Sequence, residues 1–130
     1  MNAQDAQKRA QTGKMGEAFA RRLLQEQGYC ICAVNFSSRY GEIDIIAQKD
    51  GTICFVEVKT RKSGSAVTGE CAVTPAKQKK LLRTAMVYLQ RFPTGAQMRF
   101  DVCSIRTGKS GEILDYTYLT GAFDGACYES

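Results

Sequence analysis

Asp44, Glu57 and Lys59 lie where charge is costly, inside two apolar runs, Tyr40 to Ala47 and Ile53 to Lys59. Both runs have β-type composition, and Gln48-Lys49-Asp50-Gly51 between them contains Asp-Gly, a strong hairpin signal. Side chains two apart on a strand share a face, so Glu57 and Lys59 are expected to point one way and Val56 and Val58 the other. By the same parity Asp44 and Glu42 are expected opposite Ile43 and Ile45. A hairpin then sets Asp44, Glu57 and Lys59 side by side at one end of a small sheet. Carboxylate oxygens suit a hard divalent cation, Mg2+ or Mn2+. Such an ion polarises a phosphodiester and lowers the pKa of a bound water. Lys59 would orient that water or stabilise the developing charge. The competing reading is a surface cross-strand salt bridge.

The charge distribution favours the first reading. The chain carries a formal net charge of +5. Between Glu57 and Arg83 stand Lys59, Arg61, Lys62, Lys77, Lys79, Lys80 and Arg83 against Glu57 and Glu70, so the whole positive excess flanks the candidate triad. A docking polyanion would explain that clustering, and a solvated helix face is the bland alternative. With no histidine in the chain, neither a Ser-His-Asp hydrolase nor a His-based nuclease can be built. The six cysteines include no C-x-x-C pair, which argues against structural zinc. Cys30, Cys32, Cys54 and Cys103 fall in strand-like runs and are expected to act as small core residues, with Tyr29, Phe36, Phe55 and Phe100 beside them.

The elements that must position these groups follow in order. Residues 1–11 are polar and expected to fray, leaving one domain over 12–123 and a tail over 124–130. From Thr12 to Gln27 the spacing of Met15, Phe19, Ala20, Leu23 and Leu24 predicts a helix, with Gly28 as its C-cap. At 100° per residue Glu17 lies roughly 20° from Leu24, on the rim of the apolar arc. There it could join the metal site through a water or a second ion, or simply favour the helix dipole. Tyr29 to Phe36 predicts a first strand, and Ser37 to Tyr40 a turn into the hairpin. Thr60 to Val73 lacks periodicity and reads as a lid or flap beside the site. Thr74-Pro75 opens a second helix as N-cap and first helical residue. Leu81, Leu82, Ala85, Met86, Tyr88 and Leu89 form its apolar face, with Lys79, Lys80 and Arg83 opposite. Gln78 falls on the apolar side in the first turn and is expected in the site, and Lys77 at the rim is within reach of a phosphate. Met98 to Ile105 and Ile113 to Leu119 predict two further strands around a turn at Gly108 to Gly111. The order αβββαβ plus a terminal strand predicts an α/β fold, a mixed central sheet flanked by helices.

The Asp-x(12)-Glu-x-Lys spacing resembles the PD-(D/E)xK nucleases of the restriction-endonuclease-like fold. Five blocks extend the likeness: Gly16-Glu17, Gly41-Glu42-Ile43-Asp44, Phe55 to Arg61, Ala72 to Gln78, and Arg99-Phe100-Asp101-Val102. Together they resemble the YraN family, small bacterial proteins related in fold to archaeal Holliday-junction resolvases. The resemblance implies a restriction-endonuclease-like αβββαβ core and metal-dependent cleavage of DNA, with branched molecules as the substrate. It also implies the backbone carbonyl of Val58 as a further metal ligand and a two-fold dimer as the active form. Arg61, Lys62, Lys77, Gln78, Lys79, Lys80 and Arg83 are the expected nucleic-acid contacts, with Glu42 a secondary site candidate. A module that keeps the fold and binds nucleic acid without cutting it is the alternative. A scaffold binding only protein leaves the charge clustering unexplained. No run is apolar over the ~20 residues a membrane span needs, and no signal peptide is apparent, so a cytoplasmic protein is expected.

Overall fold

Asp50 and Gly51, both at positive φ (49° and 78°), form the two-residue hairpin turn the sequence predicts. The computed structural model describes residues 3–63 and 73–123. The elements are α1 (Ala3–Glu26), β1 (Cys30–Ser38), β2 (Gly41–Lys49), β3 (Thr52–Lys62), α2 (Pro75–Arg91), β4 (Gln97–Thr107) and β5 (Ile113–Phe123). The five strands form one mixed sheet in sequence order. Only β3 and β4 run parallel, joined by the crossover through α2. The expected α/β architecture, a mixed sheet flanked by helices, is present.

Each helix covers one face. Under α1 lie Ala20, Leu24, Ile45, Ala47, Cys54, Val56, Cys103 and Ile105. Under α2 lie Ile43, Ile46, Ile53, Phe55, Leu81, Ala85, Tyr88, Phe100 and Val102. Because β3 is covered on both faces, Ile53 to Val56 are buried in succession, which explains an apolar run without alternation. Thr74 caps α2 as expected: its Oγ1 accepts from Lys77 N at 3.2 Å, with Pro75 in the first turn.

Several expectations change. The first helix starts at Ala3, not Thr12, since Ala3 to Gln11 are mostly strong helix formers with no glycine or proline to stop them. The strand β1 runs on to Ser38, shortening its turn to Arg39-Tyr40. The expected flap loses Thr60 to Lys62 to β3, and most of its remainder, like the tail, lies outside the described residues. Cys54 and Cys103 are buried free thiols, but Cys30 and Cys32 are exposed. They sit on edge strand β1, where Ile31 packs against the core and its neighbours turn outward. Tyr29 and Phe36 are half-buried around the core that Phe55 and Phe100 enter. On α2, Met86 is exposed, while Thr84, which was not read as part of the apolar face, is fully buried. Its Oγ1 donates to Lys80 O (2.8 Å) and lies 3.0 Å from Ser38 Oγ, tying α2 to β1.

A polar network pins the α1 side of the sheet. Asp101, 1% exposed, takes Nε and Nη2 of Arg99 at 2.9 Å each, the Tyr118 hydroxyl at 2.6 Å and Gly121 N at 3.0 Å. Arg99 Nη2 also donates to the Tyr29 hydroxyl at 2.8 Å. The carboxylate hydrogen bonds hold the Arg99 guanidinium more firmly protonated than usual. Burial, then this same carboxylate, pushes the Tyr118 phenol up. The network therefore joins β4, β5 and the residue that leads into β1.

Candidate functional site

The hairpin ladder ends at the residues singled out for chemistry. The strands β2 and β3 pair from Lys49↔Thr52 to Ile45↔Val56 and then part. Where the next ladder bond would form, Asp44 Oδ2 accepts from Val58 N at 2.7 Å. A carboxylate thus closes the ladder and is fixed to the strand that carries Glu57 and Lys59.

The parity read from β2 fails at this point. Ile43 packs under α2 and Ile45 under α1, although two residues apart. Their partners on β1 are Phe36 and Val34, and Asn35 between those two has φ 53°. Asparagine tolerates this left-handed conformation better than most residues. The face of both strands therefore switches at the Asn35/Asp44 level. This break delivers Asp44 to the site, and the alternation rule alone could not reveal it. On β3 the parity holds. Val56 and Val58 pack on the α1 side, and Glu57 turns to α2.

Three further carboxylates act on Asp44 electrostatically. Burial and the charges of Glu57, Glu17 and Glu42 push the Asp44 carboxyl up to about 7, against the opposing hydrogen bond from Val58. In the amide orientation that satisfies its neighbours, Asn35 donates to Glu17 Oε1 (3.0 Å) and Glu42 Oε1 (3.2 Å). Ser37 Oγ donates to Glu42 Oε2 at 3.2 Å. Asn35 was missed from the sequence; its signal was an amide interrupting the apolar pair Val34 and Phe36. Glu17 is brought in because α1 crosses β3 tightly at Gly16. A Cβ there would stand 2.5 Å from Thr60 Oγ1 and 3.4 Å from Ile105 Cδ1, so any larger residue would force Thr60 or the helix to move.

Glu57 is buried, and its Oε1 is 2.6 Å from Lys77 Nζ on α2. Lys59, half-buried, lies two residues further along β3. Beside them a cleft of about 310 Å3 is lined by Gly41, Glu42, Lys77, Lys80 and Leu81. Gln78 is half-buried, and its amide donates to Val73 O at 2.7 Å, which steadies the start of α2. Arg61 and Lys62 follow Lys59 at the C-terminal end of β3. Lys77 and Lys80 face the cleft, Arg83 leans over the Tyr40 ring, and Lys79 is half-buried.

Among the described residues, no three Asp, Glu, Cys or His side chains are close enough to hold an ion on their own. Magnesium, however, is commonly held by one or two carboxylates with water and substrate phosphate. Asp44 and Glu57 offer such a pair of hard oxygen donors. Their mutual repulsion, relieved at Glu57 by the Lys77 ammonium, fits a place where a cation belongs.

Residues 16–105 match the pattern of the uncharacterised protein family UPF0102, the YraN family. The chain belongs to this family. Its relatives include a UPF0102 protein of Dictyoglomus thermophilum, 40% identical over 112 residues that span 85% of this chain and 95% of the relative. One from a Synechococcus is 42% identical over 118 residues, 86% and 90% of the two chains. Another from Syntrophomonas wolfei is 45% identical over 101 residues, 75% and 88%. The UPF0102 match runs from Gly16 to Ile105, so it takes in the α1–β3 crossing, all four carboxylates, Lys59 and Lys77. Among the described residues no helix is long and apolar enough to cross a membrane.

The elevated Asp44 carboxyl has a consequence for stability. It titrates near 7 when folded and near about 4 in an unfolded chain. Between those values the folded protein keeps a proton the unfolded chain has lost. The stabilisation from this group is therefore complete below about pH 4 and is lost as pH rises through about 7. Asp44→Asn retains an acceptor for Val58 N and removes the charge. In metal-free buffer its melting temperature is expected to exceed that of the unmodified protein above about pH 7. Parallel melting-temperature profiles for the two proteins would contradict this.

Proposed function

We propose that this protein is a Mg2+- or Mn2+-dependent nuclease that hydrolyses phosphodiester bonds in DNA. The observation that carries the reading is the Asp44 carboxylate, fixed on Val58 N where β2 and β3 part, with the charges of Glu57, Glu17 and Glu42 acting on it. Asp44 and Glu57 would hold the ion, with the Val58 carbonyl as a further donor and Glu17 acting through a water or second ion. When bound, the ion supplies charge stabilisation at the phosphate and a water of lowered pKa. Lys59 orients the attacking water or offsets the charge that develops at phosphorus. Lys77, which pairs with Glu57, would be able to contact a neighbouring phosphate if a cation took over the neutralisation of that carboxylate. The second reading, a nucleic-acid-binding module that does not cut, draws on the same Lys77–Glu57 pair, in which the ammonium neutralises the Glu57 carboxylate without any metal.

The test is incubation of purified protein with linear, nicked, single-stranded and four-way-junction DNA and with RNA, each with Mg2+, Mn2+ or chelator. Cleavage only with metal supports the nuclease. Metal-independent binding with no cleavage of any substrate selects the binding module.

A two-fold dimer goes with a branched substrate, because one chain carries a single triad and a junction must be cut on two strands. Supporting it, Leu114, Tyr116 and Leu119 on edge strand β5 are 47%, 44% and 39% exposed. Light scattering with and without junction DNA is expected to give the dimer mass. A monomer in both conditions that still cut junctions symmetrically would remove the dimer.

A further inference from the structure

The flank of α2 that faces β1 carries cations in a line, and the sequence reading had placed only some of them. The helix holds Lys77, Lys79, Lys80, Arg83 and Arg91 and no acidic residue, and β1 beside it has no charge at all. Lys80, Arg83 and Arg91 fall on the same flank at 100° per residue. Lys80 borders the cleft beside Glu42, and its Cβ would lie 3.7 Å from a Cβ on Gly41. Further along, Arg83 and Arg39 both lean on the Tyr40 ring, 5.6 and 4.8 Å from its centroid. Arg39 Nη2 also donates to the Tyr40 hydroxyl at 2.6 Å. At the far end Arg91 covers the Phe36 ring at 5.6 Å. All three guanidiniums are exposed yet rest on aromatic rings. Such seating lowers the entropy cost of presenting their donors to an anion.

We propose that this flank is a track for a single-stranded nucleic-acid segment leaving the candidate active site, with Lys80, Arg83, Arg39 and Arg91 contacting its phosphates. The proposal rests on the nuclease reading for where the strand begins. From Lys77 to Arg91 the helix advances about 21 Å. At the ~3.4 Å axial rise of a duplex strand that would be at most on the order of six phosphates, and an extended single strand, with wider spacing, places fewer along it. The cations follow a straight helix edge. A B-form strand turns around its duplex axis in about 10 base pairs and leaves a straight edge after a few phosphates. A single strand can stay on it. A cationic groove with aromatic side chains along it is also the pattern that single strands favour. Tyr40 is then a positioning residue, acting through the two guanidiniums it seats.

The test is fluorescence anisotropy on the full chain in chelator, so that nothing is cut. The probes are a blunt DNA duplex and the same duplex with a single-stranded tail of about ten nucleotides. The tailed probe is expected to bind about tenfold more tightly. Arg83→Ala with Arg91→Ala should abolish that advantage and reduce the salt slope on the tailed probe by about 1.4, at ~0.7 per lost contact. Tyr40→Leu should lose the advantage too, and Tyr40→Phe, which keeps the ring, should retain it. If Tyr40→Leu fails to fold, the exposed arginine pair decides. Equal affinity for both probes, or an advantage and slope that survive the arginine changes, overturns the track while leaving duplex binding and the nuclease reading in place. No binding to either probe overturns the track, while cleavage with metal decides the nuclease reading separately.

Discussion

Asp44→Ala and Glu57→Ala are each expected to abolish metal-dependent cleavage, with a loss on the order of 10^3-fold or more. The magnitude follows from the several kcal/mol a bound ion contributes to a phosphoryl transition state. The structure separates the two changes. Asp44→Ala also frees Val58 N at the point where β2 and β3 part, so it costs some order at the end of the ladder. Glu57→Ala leaves the ladder intact and instead leaves the Lys77 ammonium without its carboxylate. Lys59→Ala should behave differently, retaining metal binding while turnover falls by about 10^2- to 10^3-fold. A lysine variant that cut at the unmodified rate would remove Lys59 from the chemistry. Either carboxylate variant cutting normally would remove the site.

The second large effect is on stability, away from the site. Asp101→Ala is expected to destabilise the protein by about 3 kcal/mol. It removes a buried carboxylate that accepts four hydrogen bonds and leaves the Tyr118 hydroxyl, Gly121 N and the Arg99 guanidinium to find other partners. Urea unfolding would report a lower midpoint at unchanged slope. A midpoint within experimental error of the unmodified protein would mean that β5 does not depend on this network. Asp101 belongs to the Arg99 to Val102 block, which was legible as part of a family pattern but not for its reason. That reason is structural: it joins β4, β5 and the residue leading into β1 rather than contributing a charge to the site.

This contrast describes what the sequence revealed. The order of elements along the chain and the start of α2 followed from local signals, namely the Asp-Gly turn, the Thr74-Pro75 cap and the apolar run at Ile53 to Val56. The opposite facing of Glu57 and its neighbours Val56 and Val58 also held, because β3 is regular and central. The reading failed where the backbone leaves its regular period. Asn35 in the left-handed region and the face switch at Asp44 depend on two strands bending together, which no single run encodes. Edge position decided the cysteines, since Cys30 and Cys32 read as apolar yet sit on a strand with one free edge. The cation line on α2 was partly visible as a charge run. Its partners Arg39, Tyr40 and Phe36 come from a hairpin distant in sequence, so only the fold could assemble them.

Calorimetric titration with manganese is the most direct test that Asp44 and Glu57 form a metal site. The unmodified protein should give saturable heat, Lys59→Ala should give the same, and Asp44→Ala and Glu57→Ala should give little beyond dilution. Identical saturable heats for all four proteins would contradict the site at its foundation.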